Sequence, residues 1–281
     1  MGTIALVANP RSGSCDPEAI GRRLRAFGSR VEPFDVDEPE RAAAAGCDRV
    51  AVAGGDGSIA SAAAAAGAAG IPLAVIPAGT ANDFARRMGL PLDLGEACRL
   101  AVCGAGLRDM ELGWMDERPF VNVASAGLPA SAARRAKAWK KPLGPLGYAV
   151  GALAAGVTSG AVAVEVACDG GTLFQGDAWQ VTVAASGAFG AGARIAEADP
   201  HDGALEVVAV AAGPRPGLVA LAYRLRTGGL AAHRRARRRR CPSAVVRVPD
   251  GTEWNVDGEV IPAGASRFRG EADAFRLVVP R

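Results

Sequence analysis

Two glycine-rich loops in the first third of the chain carry residue types that bind phosphate. The first glycine loop, Gly54–Ser58 (GGDGS), follows an apolar, β-prone segment, and the second glycine loop, Pro77–Asp83 (PAGTAND), follows the next such segment. Glycines let backbone N–H groups approach phosphate oxygens, and a helix after each loop offers its positive N-terminal end. Because the carboxyl ends of neighbouring parallel strands meet at one edge of a sheet, the two loops are predicted to form a single phosphate site.

The carboxylate of Asp56 does not suit a bare phosphate site, because it repels phosphate unless a divalent cation lies between them. A magnesium-bound nucleotide resolves this conflict and makes Asp56 a candidate metal ligand. The alternative is a tight strand-to-helix turn in which Asp56 only caps a helix. Neither loop matches the Gx4GK[ST] or GxGxxG pattern, so the P-loop and dinucleotide-binding fingerprints are absent.

Apolar strands and helices alternate through the first part of the chain. Strands are predicted at TIALVAN, VEPFDVD, DRVAVAGG and IPLAVIPAG, and helices at DPEAIGRRLRAFG, PERAAAAG and SIASAAAAAGAAG, with a further helix from about Asn82. IPLAVIPAG is apolar throughout, which is typical of a strand buried on both faces of a parallel sheet. This order predicts an open, mostly parallel sheet with helices on both faces.

After about Asp109 the pattern changes to short strands separated by Gly, Asp and Pro turns, several of them alternating with period two. The second part is therefore predicted to be mostly antiparallel β, with helical segments at about 130–155 and 215–232. We expect an α/β domain at 1–112 and a β-rich domain at 113–281, with the last strand, about 272–281, as a candidate to pack back on the first domain. A ligand is expected in a cleft between the domains.

Four motifs occur in order along the chain: NPRSG at 9–13, GGDGS at 54–58, PAGTANDFAR at 77–86 and VDGE at 256–259. Together they resemble the signatures of the diacylglycerol kinase catalytic-domain family, which includes bacterial lipid kinases and sphingosine kinases. The resemblance covers essentially the whole chain. It implies an NAD kinase/diacylglycerol kinase-like fold, with a Rossmann-like α/β domain and a β-sandwich domain, ATP and Mg²⁺ in the cleft, and a lipid hydroxyl as acceptor.

The resemblance also implies roles for individual residues. Those expected to contact the nucleotide or its metal are Asn9, Gly54, Gly55, Asp56, Gly57, Ser58, Gly79, Thr80 and Asn82. Asp257 and Glu259 are expected to face the transferred phosphoryl group, with Asp257 as the candidate base and Asp56 as the next candidate. Asp202 is a candidate ligand of a second, structural magnesium ion. The alternative for Asp257 is a hairpin turn, since Asp-Gly is a common turn dipeptide.

The chain departs from the family pattern directly after the first glycine loop. The family usually continues with x-Asn-Glu, whereas this chain has Ile59-Ala60-Ser61, so an amide and a carboxylate are missing. Three functions therefore remain open. The first is an ATP-dependent kinase of a diacylglycerol- or sphingoid-type lipid, the second is a kinase of a non-lipid small molecule, and the third is a catalytically degenerate member that binds nucleotide or lipid.

The net charge of the chain is only +3, so an anionic partner must be met by a local patch. The run HRRARRRR ends at Arg240, and its segment Arg234–Arg240 is a candidate contact with anionic phospholipid headgroups. The alternative is a solvated loop between a helix and a strand. No RNA-binding signature accompanies the run, so nucleic acid is not an expected partner.

The chain is expected to be cytoplasmic and peripherally associated with a membrane. Its apolar N-terminal run stops at Asn9-Pro10 and is too short for a signal peptide. The uncharged run from Leu143 to Val164 approaches the length of a membrane span, but its glycines and Pro145 favour a buried helix followed by a strand. The sequence fixes no oligomeric state, and a homodimer is retained as an alternative to a monomer.

Overall fold

The computed structural model describes residues 2–13, 15–128, 130, 160–185, 188–189, 193–194, 203–214 and 234–281. These residues divide into two compact units. The first unit contains the residues up to Leu112 together with Glu271–Arg281, and the second contains described residues between Gly113 and Gly270. The helical segments predicted at 130–155 and 215–232 lie, apart from Ala130, outside the described residues.

The first unit is a parallel sheet with helices on both faces. Its elements are β1 (Thr3–Ala8), α1 (Pro17–Ala26), β2 (Arg30–Asp35), α2 (Pro39–Ala43), β3 (Arg49–Gly54), α3 (Asp56–Ala68), β4 (Leu73–Pro77), α4 (Asp83–Arg87), α5 (Leu94–Cys103) and the start of β5 (Gly106–Met115). The sheet order is β2-β1-β3-β4 followed by the end of the last strand, β17 (Ser266–Val279), and these neighbours are parallel. The predicted open, mostly parallel sheet is confirmed.

Alternating residues of the central strands bury both faces of this sheet. Leu6 and Ile76 pack with Leu24 of α1 and Ala97 of α5 on one face, while α2 and α3 cover the other. The alanines of α3 allow it to lie close to the sheet. Gly67 shows how close, because a Cβ atom there would overlap the carbonyl oxygen of Ala274.

The second unit is built from antiparallel strands. They are the end of β5, β6 (Arg118–Phe120), β7 (Val123–Gly127), β8 (Val162–Cys168), β9 (Gly171–Ala184), β10 (Ala188–Phe189), β11 (Ala193–Arg194), β12 (Leu205–Ala211), β13 (Ala236–Cys241), β14 (Ser243–Arg247), β15 (Thr252–Val256), β16 (Glu259–Ala263) and the start of β17. The order is β16-β15-β7-β9-β8-β14-β17, with β12 paired to β9 and β13. The predicted change from parallel to antiparallel structure is confirmed.

One face of the second unit's sheet forms its main hydrophobic core. Trp254, Phe120 and Phe268 are buried there, and the ring centroids of Trp254 and Phe268 lie 5.3 Å apart. Ala124 and Ala126 of β7 belong to the same core. Because side chains alternate along a strand, the residues between these positions lie on the opposite face.

The part of the arginine run from Ala236 to Arg240 forms a strand, whereas the sequence offered a solvated loop as the alternative to a membrane contact. Arg234 and Arg235 precede this strand in a turn. Ala236–Cys241 is β13, in which Arg237 pairs with Ala209 and Arg239 with Val207 of β12. The loop interpretation was wrong for these residues, because their backbone hydrogen-bonds to β12. All four side chains from Arg237 to Arg240 are exposed. Among the described strands β13 pairs only with β12, and charge on such an edge discourages pairing with other chains.

Within the described part of the chain, no helix has the length and apolar character needed to cross a membrane. Most of the uncharged run at 143–164 lies outside that part, and its last three residues begin β8.

Candidate functional site

Three polar loops meet where β1, β3 and β4 end. They are the two glycine loops and the asparagine loop, Asn9–Gly13. The backbone N–H of Asn9 donates to the carbonyl of Ala53 (2.9 Å), and the N–H of Ala78 donates to the carbonyl of Gly54 (3.0 Å). The strand order β1-β3-β4 therefore brings the three loops side by side, and for the two glycine loops this is what the βαβ pattern predicted.

Glycines are required for the loops to pack at this distance. A Cβ atom at Gly79 would lie 2.7 Å from Cα of Gly55 and 2.8 Å from Oδ1 of Asn82. Gly13 has a φ of +50°, and a Cβ atom there would overlap the carbonyl oxygen of Ala78. Part of the glycine content of the motifs therefore serves the contact between the loops themselves.

The two amide side chains predicted to contact nucleotide also shape the loops. Asn9 Nδ2 donates to Ser58 Oγ (3.2 Å), and Asn9 Oδ1 accepts from the backbone N–H of Arg11 (3.0 Å). Asn82 adopts a left-handed backbone conformation, with a φ of 51°. Its Oδ1 accepts from Gly79 N (2.9 Å) and its Nδ2 donates to Gly79 O (3.1 Å), which closes the second glycine loop.

Asp56 joins the two glycine loops. Its Oδ2 accepts from the backbone N–H of Asp83 (3.2 Å) and its Oδ1 from that of Phe84 (3.0 Å), so its carboxylate caps the start of α4. Asp56 itself belongs to the first turn of α3, and the helix that it caps is therefore not its own. Each carboxylate oxygen has more than one lone pair, so these bonds are compatible with a metal ligand role.

The start of α3 exposes glycine next to buried apolar residues. The N-cap is Gly55, which has no side chain to cap the helix. A Cβ atom at Gly57 would meet nothing within 4 Å. Ile59 and Ala60 are 1% and 2% exposed, so Ala60, which stands where the family has Asn, packs into the core. Ser61 is half-buried.

Cys15 lies beside the loops and does not add a nucleophile to them. Its thiol donates to the carbonyl of Ala53 (3.5 Å). Burial raises the pKa of the Cys15 thiol, so the group stays protonated at neutral pH.

Thr80 and Asp202 are the remaining residues predicted to contact the nucleotide or a metal ion. Thr80 lies exposed in the second glycine loop. Asp202 lies outside the described residues, so its role as a magnesium ligand stays a prediction. Among the described residues no group of three or more His, Cys, Asp or Glu side chains is placed to hold a metal ion. A magnesium ion at Asp56 would therefore need further oxygen ligands from nucleotide and water.

In the second unit, Asp257 occupies a two-residue hairpin turn. Val256 of β15 pairs with Glu259 of β16, and the φ angles of Asp257 and Gly258 are 46° and 92°. Positive φ at both central residues is the pattern of a type I′ turn. The hairpin interpretation therefore describes the backbone of this motif, and the side chain has further contacts of its own.

The carboxylate of Asp257 accepts three backbone hydrogen bonds from Val121–Val123, where β7 begins. Oδ2 accepts from Val121 N (2.7 Å), and Oδ1 accepts from Asn122 N (3.0 Å) and Val123 N (2.9 Å). Three donors around one carboxylate fix its orientation. Such a group is well placed to orient a hydroxyl by accepting its hydrogen bond.

Glu259 forms an ion pair that sequence reasoning missed. Its Oε2 lies 2.8 Å from Nη1 of Arg118, and both side chains are partly exposed. Arg118 belongs to none of the four motifs, so nothing local in the sequence marked it. Exposed ion pairs contribute little stability, so the consequence of this pair is mainly the position of the Glu259 carboxylate.

The fold and the loops define a class of protein. A parallel sheet with polar glycine loops at its carboxyl end, followed by antiparallel β structure, is the fold shared by NAD kinases and diacylglycerol kinases. Residues 3–115 match the model of the diacylglycerol kinase catalytic domain, and residues 122–279 match the YegS C-terminal NAD kinase beta sandwich-like domain. The chain belongs to the diacylglycerol kinase catalytic-domain family, which confirms the resemblance read from the motifs.

Individual relatives agree with this assignment. The chain is 32% identical to a Pseudomonas putida protein named "Probable lipid kinase YegS-like", over 85% of this chain and 79% of that protein. The fold is similar to that of a diacylglycerol kinase from Bacillus anthracis, with a TM-score of 0.76 at 20% identity, covering 99% and 96% of the two chains. An NAD kinase from Archaeoglobus fulgidus in complex with ATP gives a TM-score of 0.56 at 13% identity, covering 99% and 94%. Membership of a lipid kinase family supports a phosphotransferase activity for this chain.

Proposed function

We propose that the protein is an ATP-dependent lipid kinase that transfers the γ-phosphoryl group to a lipid hydroxyl of the diacylglycerol or sphingoid type. The observation that carries the proposal is the junction of three polar loops at the ends of β1, β3 and β4. Their glycines allow the loop backbones to pack closely together, and the 13-residue helix α3 begins there. Phosphate groups bind at such helix ends, because backbone N–H groups and the helix dipole both favour negative charge.

In this proposal the α/β domain at 1–112 binds the nucleotide. The residues proposed to contact the nucleotide or its metal are Asn9, Gly54, Gly55, Asp56, Gly57, Ser58, Gly79, Thr80 and Asn82. Asp56 is assigned to the magnesium ion of the nucleotide, which would neutralise charge on the phosphates, and its carboxylate is the donor type that magnesium prefers. The hydrogen bonds of Asp56 to α4 hold that carboxylate in place between the two glycine loops.

The β-rich domain at 113–281 is assigned to the acceptor. Asp257 is proposed to orient the acceptor hydroxyl and to accept its hydrogen bond as the phosphoryl group is transferred. Phosphoryl transfer depends mostly on positioning and charge stabilisation, so a strongly basic group is not required. Glu259 is proposed to act beside Asp257, with its position set by Arg118.

A degenerate family member is the second candidate function. Ala60 and Ser61 stand after the first glycine loop where the family has Asn and Glu. Ala60 is buried in the core and Ser61 is half-buried. Such a protein would bind nucleotide or lipid without transferring phosphate. A kinase of a non-lipid small molecule would use the same loops and differ only in its acceptor.

Transfer of labelled γ-phosphate from ATP separates these candidates. The acceptor panel contains diacylglycerol, ceramide, sphingosine and water-soluble alcohols, each with Mg²⁺ and with EDTA. We expect transfer to a lipid acceptor that requires the metal. Transfer only to soluble alcohols would indicate a different kinase, and ATP binding without any transfer would indicate the degenerate member.

Gly57→Ala tests whether a ligand approaches the start of α3. The fold has space for this methyl group, and alanine is favoured over glycine in a helix by up to ~1 kcal/mol. We therefore expect unchanged or higher thermal stability together with ATP affinity that is weaker by about tenfold, because the methyl group occupies the approach of a phosphate. Gly21→Ala, in α1, is the control. Normal ATP affinity in Gly57→Ala would contradict a phosphate at this helix end.

The four exposed arginines of β13 are proposed to hold the protein on anionic bilayers, because a kinase of membrane lipids has to reach them there. Each basic residue near such a surface contributes roughly 1 kcal/mol. Replacing Arg237, Arg238, Arg239 and Arg240 by Gln should reduce binding to phosphatidylserine vesicles by at least about tenfold, and salt should weaken wild-type binding. The control replaces the exposed Arg22, Arg23, Arg25 and Arg30 of the first unit by Gln, an equal change in net charge. Equal losses in both variants would argue against a specific surface at β13.

A further inference from the structure

A row of polar side chains crosses the second unit's sheet on the face opposite its main core. Asn255 of β15 pairs with Ser125 of β7, and Ser125 pairs with Thr182 of β9. Gln180, two residues before Thr182 on the same strand, donates from Nε2 to Thr182 Oγ1 (3.0 Å). Ser125 and Thr182 are 0% exposed and Gln180 is 1% exposed. The row is therefore a buried polar stripe across three neighbouring strands.

Several atoms of this row lack a hydrogen-bond partner. The Oγ of Ser125, the Oε1 of Gln180 and the Oδ1 of Asn255 are buried and make no hydrogen bond in the structure of the described residues. Leaving one buried polar group unsatisfied costs about 1–3 kcal/mol, and buried polar groups in folded proteins are rarely left so. Three such atoms on adjacent strands indicate that the sheet face is built for a polar ligand.

The chemistry of these atoms limits that ligand. The amide oxygens of Gln180 and Asn255 can only accept hydrogen bonds, and the Ser125 hydroxyl can accept or donate. A complementary group must therefore supply hydrogen-bond donors. Diacylglycerol has one hydroxyl, and its ester carbonyls only accept. An amino alcohol or a lipid with several hydroxyls supplies the donors that this face lacks.

Asp257 extends the same row. It occupies the turn after β15, and its Oδ1 accepts from the backbone N–H of Val123 (2.9 Å), two residues before Ser125 on β7. Val123 and Ser125 face the same side of the sheet at a spacing of about 7 Å. A head group whose reacting hydroxyl is at Asp257 would place its next polar groups beside Asn255 and Ser125.

We propose that the face formed by Ser125, Gln180, Thr182 and Asn255 binds the polar head of the acceptor, and that this head carries hydrogen-bond donors besides the hydroxyl that is phosphorylated. The acceptor class is then a single-chain amino alcohol or polyol lipid, such as a sphingoid base or a monoacylglycerol, in preference to diacylglycerol. The inference rests on the proposed lipid kinase function for the place of the reacting hydroxyl.

Ser125→Ala tests this assignment. Binding of labelled sphingosine and monoacylglycerol in detergent micelles is measured without ATP, and KM and kcat are then measured for the same acceptors and for diacylglycerol. We expect affinity for the two donor-rich acceptors to fall about tenfold and KM for them to rise equally. The effect on diacylglycerol should be smaller, because only the Ser125 hydroxyl of this face can donate to its ester carbonyls while the amide oxygens cannot. Thermal stability should be unchanged or higher, because the variant removes a buried hydroxyl that has no partner.

Ser266→Ala is the matched control. Ser266 is 2% exposed, its Oγ also lacks a partner, and it pairs with Val246, whose side chain lies in the main core. This variant should leave acceptor binding unchanged. Unchanged sphingosine and monoacylglycerol affinity in Ser125→Ala, or an equal loss for diacylglycerol, overturns the inference while leaving the kinase function intact. If wild type transfers no phosphate, the kinase proposal fails, and the binding measurement alone still decides whether this face takes a donor-rich head.

Discussion

Asp257→Asn is expected to lower phosphoryl transfer by about 10²-fold or more, with ATP affinity nearly unchanged. The substitution removes the negative charge that would orient and polarise the acceptor hydroxyl. In the wild type, one oxygen of Asp257 accepts from Val121 N and the other accepts from Asn122 N and Val123 N. In the variant, the amide NH₂ group replaces one of these oxygens and therefore faces a backbone N–H from which it cannot accept a hydrogen bond. The effect is measured as turnover per folded molecule, with the folded fraction taken from thermal unfolding.

A second hairpin of the chain provides the control for this variant. Asp169 and Gly170 form the two-residue turn between β8 and β9, with φ angles of 50° and 78°, and the Asp169 side chain is exposed. Asn tolerates a left-handed conformation as well as Asp does, so Asp169→Asn should fold and turn over normally. Full turnover in Asp257→Asn would assign Asp257 to the turn alone, and Asp56 would become the next candidate for the base.

Asp56→Asn is expected to weaken ATP binding by at least about tenfold in the presence of Mg²⁺, and less in its absence. Asn lacks the negative charge with which Asp56 would hold the magnesium ion of the nucleotide. The structure adds a second effect, because both Asp56 oxygens accept backbone N–H groups of α4 and an amide can replace only one of them. A loss of stability of roughly 1–3 kcal/mol should accompany the loss of affinity.

Asp93→Asn separates the two effects of the Asp56 substitution. Asp93 caps α5 by accepting a single hydrogen bond from Glu96 N (2.9 Å), and Asn is as good an N-cap as Asp. This variant should retain stability and ATP affinity. If Asp56→Asn loses ATP affinity equally with and without Mg²⁺, Asp56 acts by holding the loops together and a metal role is excluded.

Sequence patterns were enough to predict the fold of both units. Period-two and continuous apolar segments identified β1, β3 and β4, and alternation after Asp109 identified the antiparallel strands, because burial of one or both faces of a strand leaves a direct imprint on residue order. The glycine loops followed from the same reasoning, since Gly marks places where the backbone must approach another group closely. The structure of the arginine run was harder to predict, because arginine is compatible with a solvated loop and with an exposed edge strand alike.

Tertiary structure alone decided how the polar groups of the loops and turns are used. The partners of Asp56 lie 27 and 28 residues further along the chain, and those of Asp257 lie 134 to 136 residues earlier. A backbone N–H exists at almost every residue, so no pattern in the sequence marks the few that a distant carboxylate will accept. The ion pair of Arg118 with Glu259 and the buried stripe at Ser125 are of the same kind. The sequence determined which residues could do chemistry, and the pairing of strands determined which of them meet, because strand register brings together groups whose separation along the chain carries no signal.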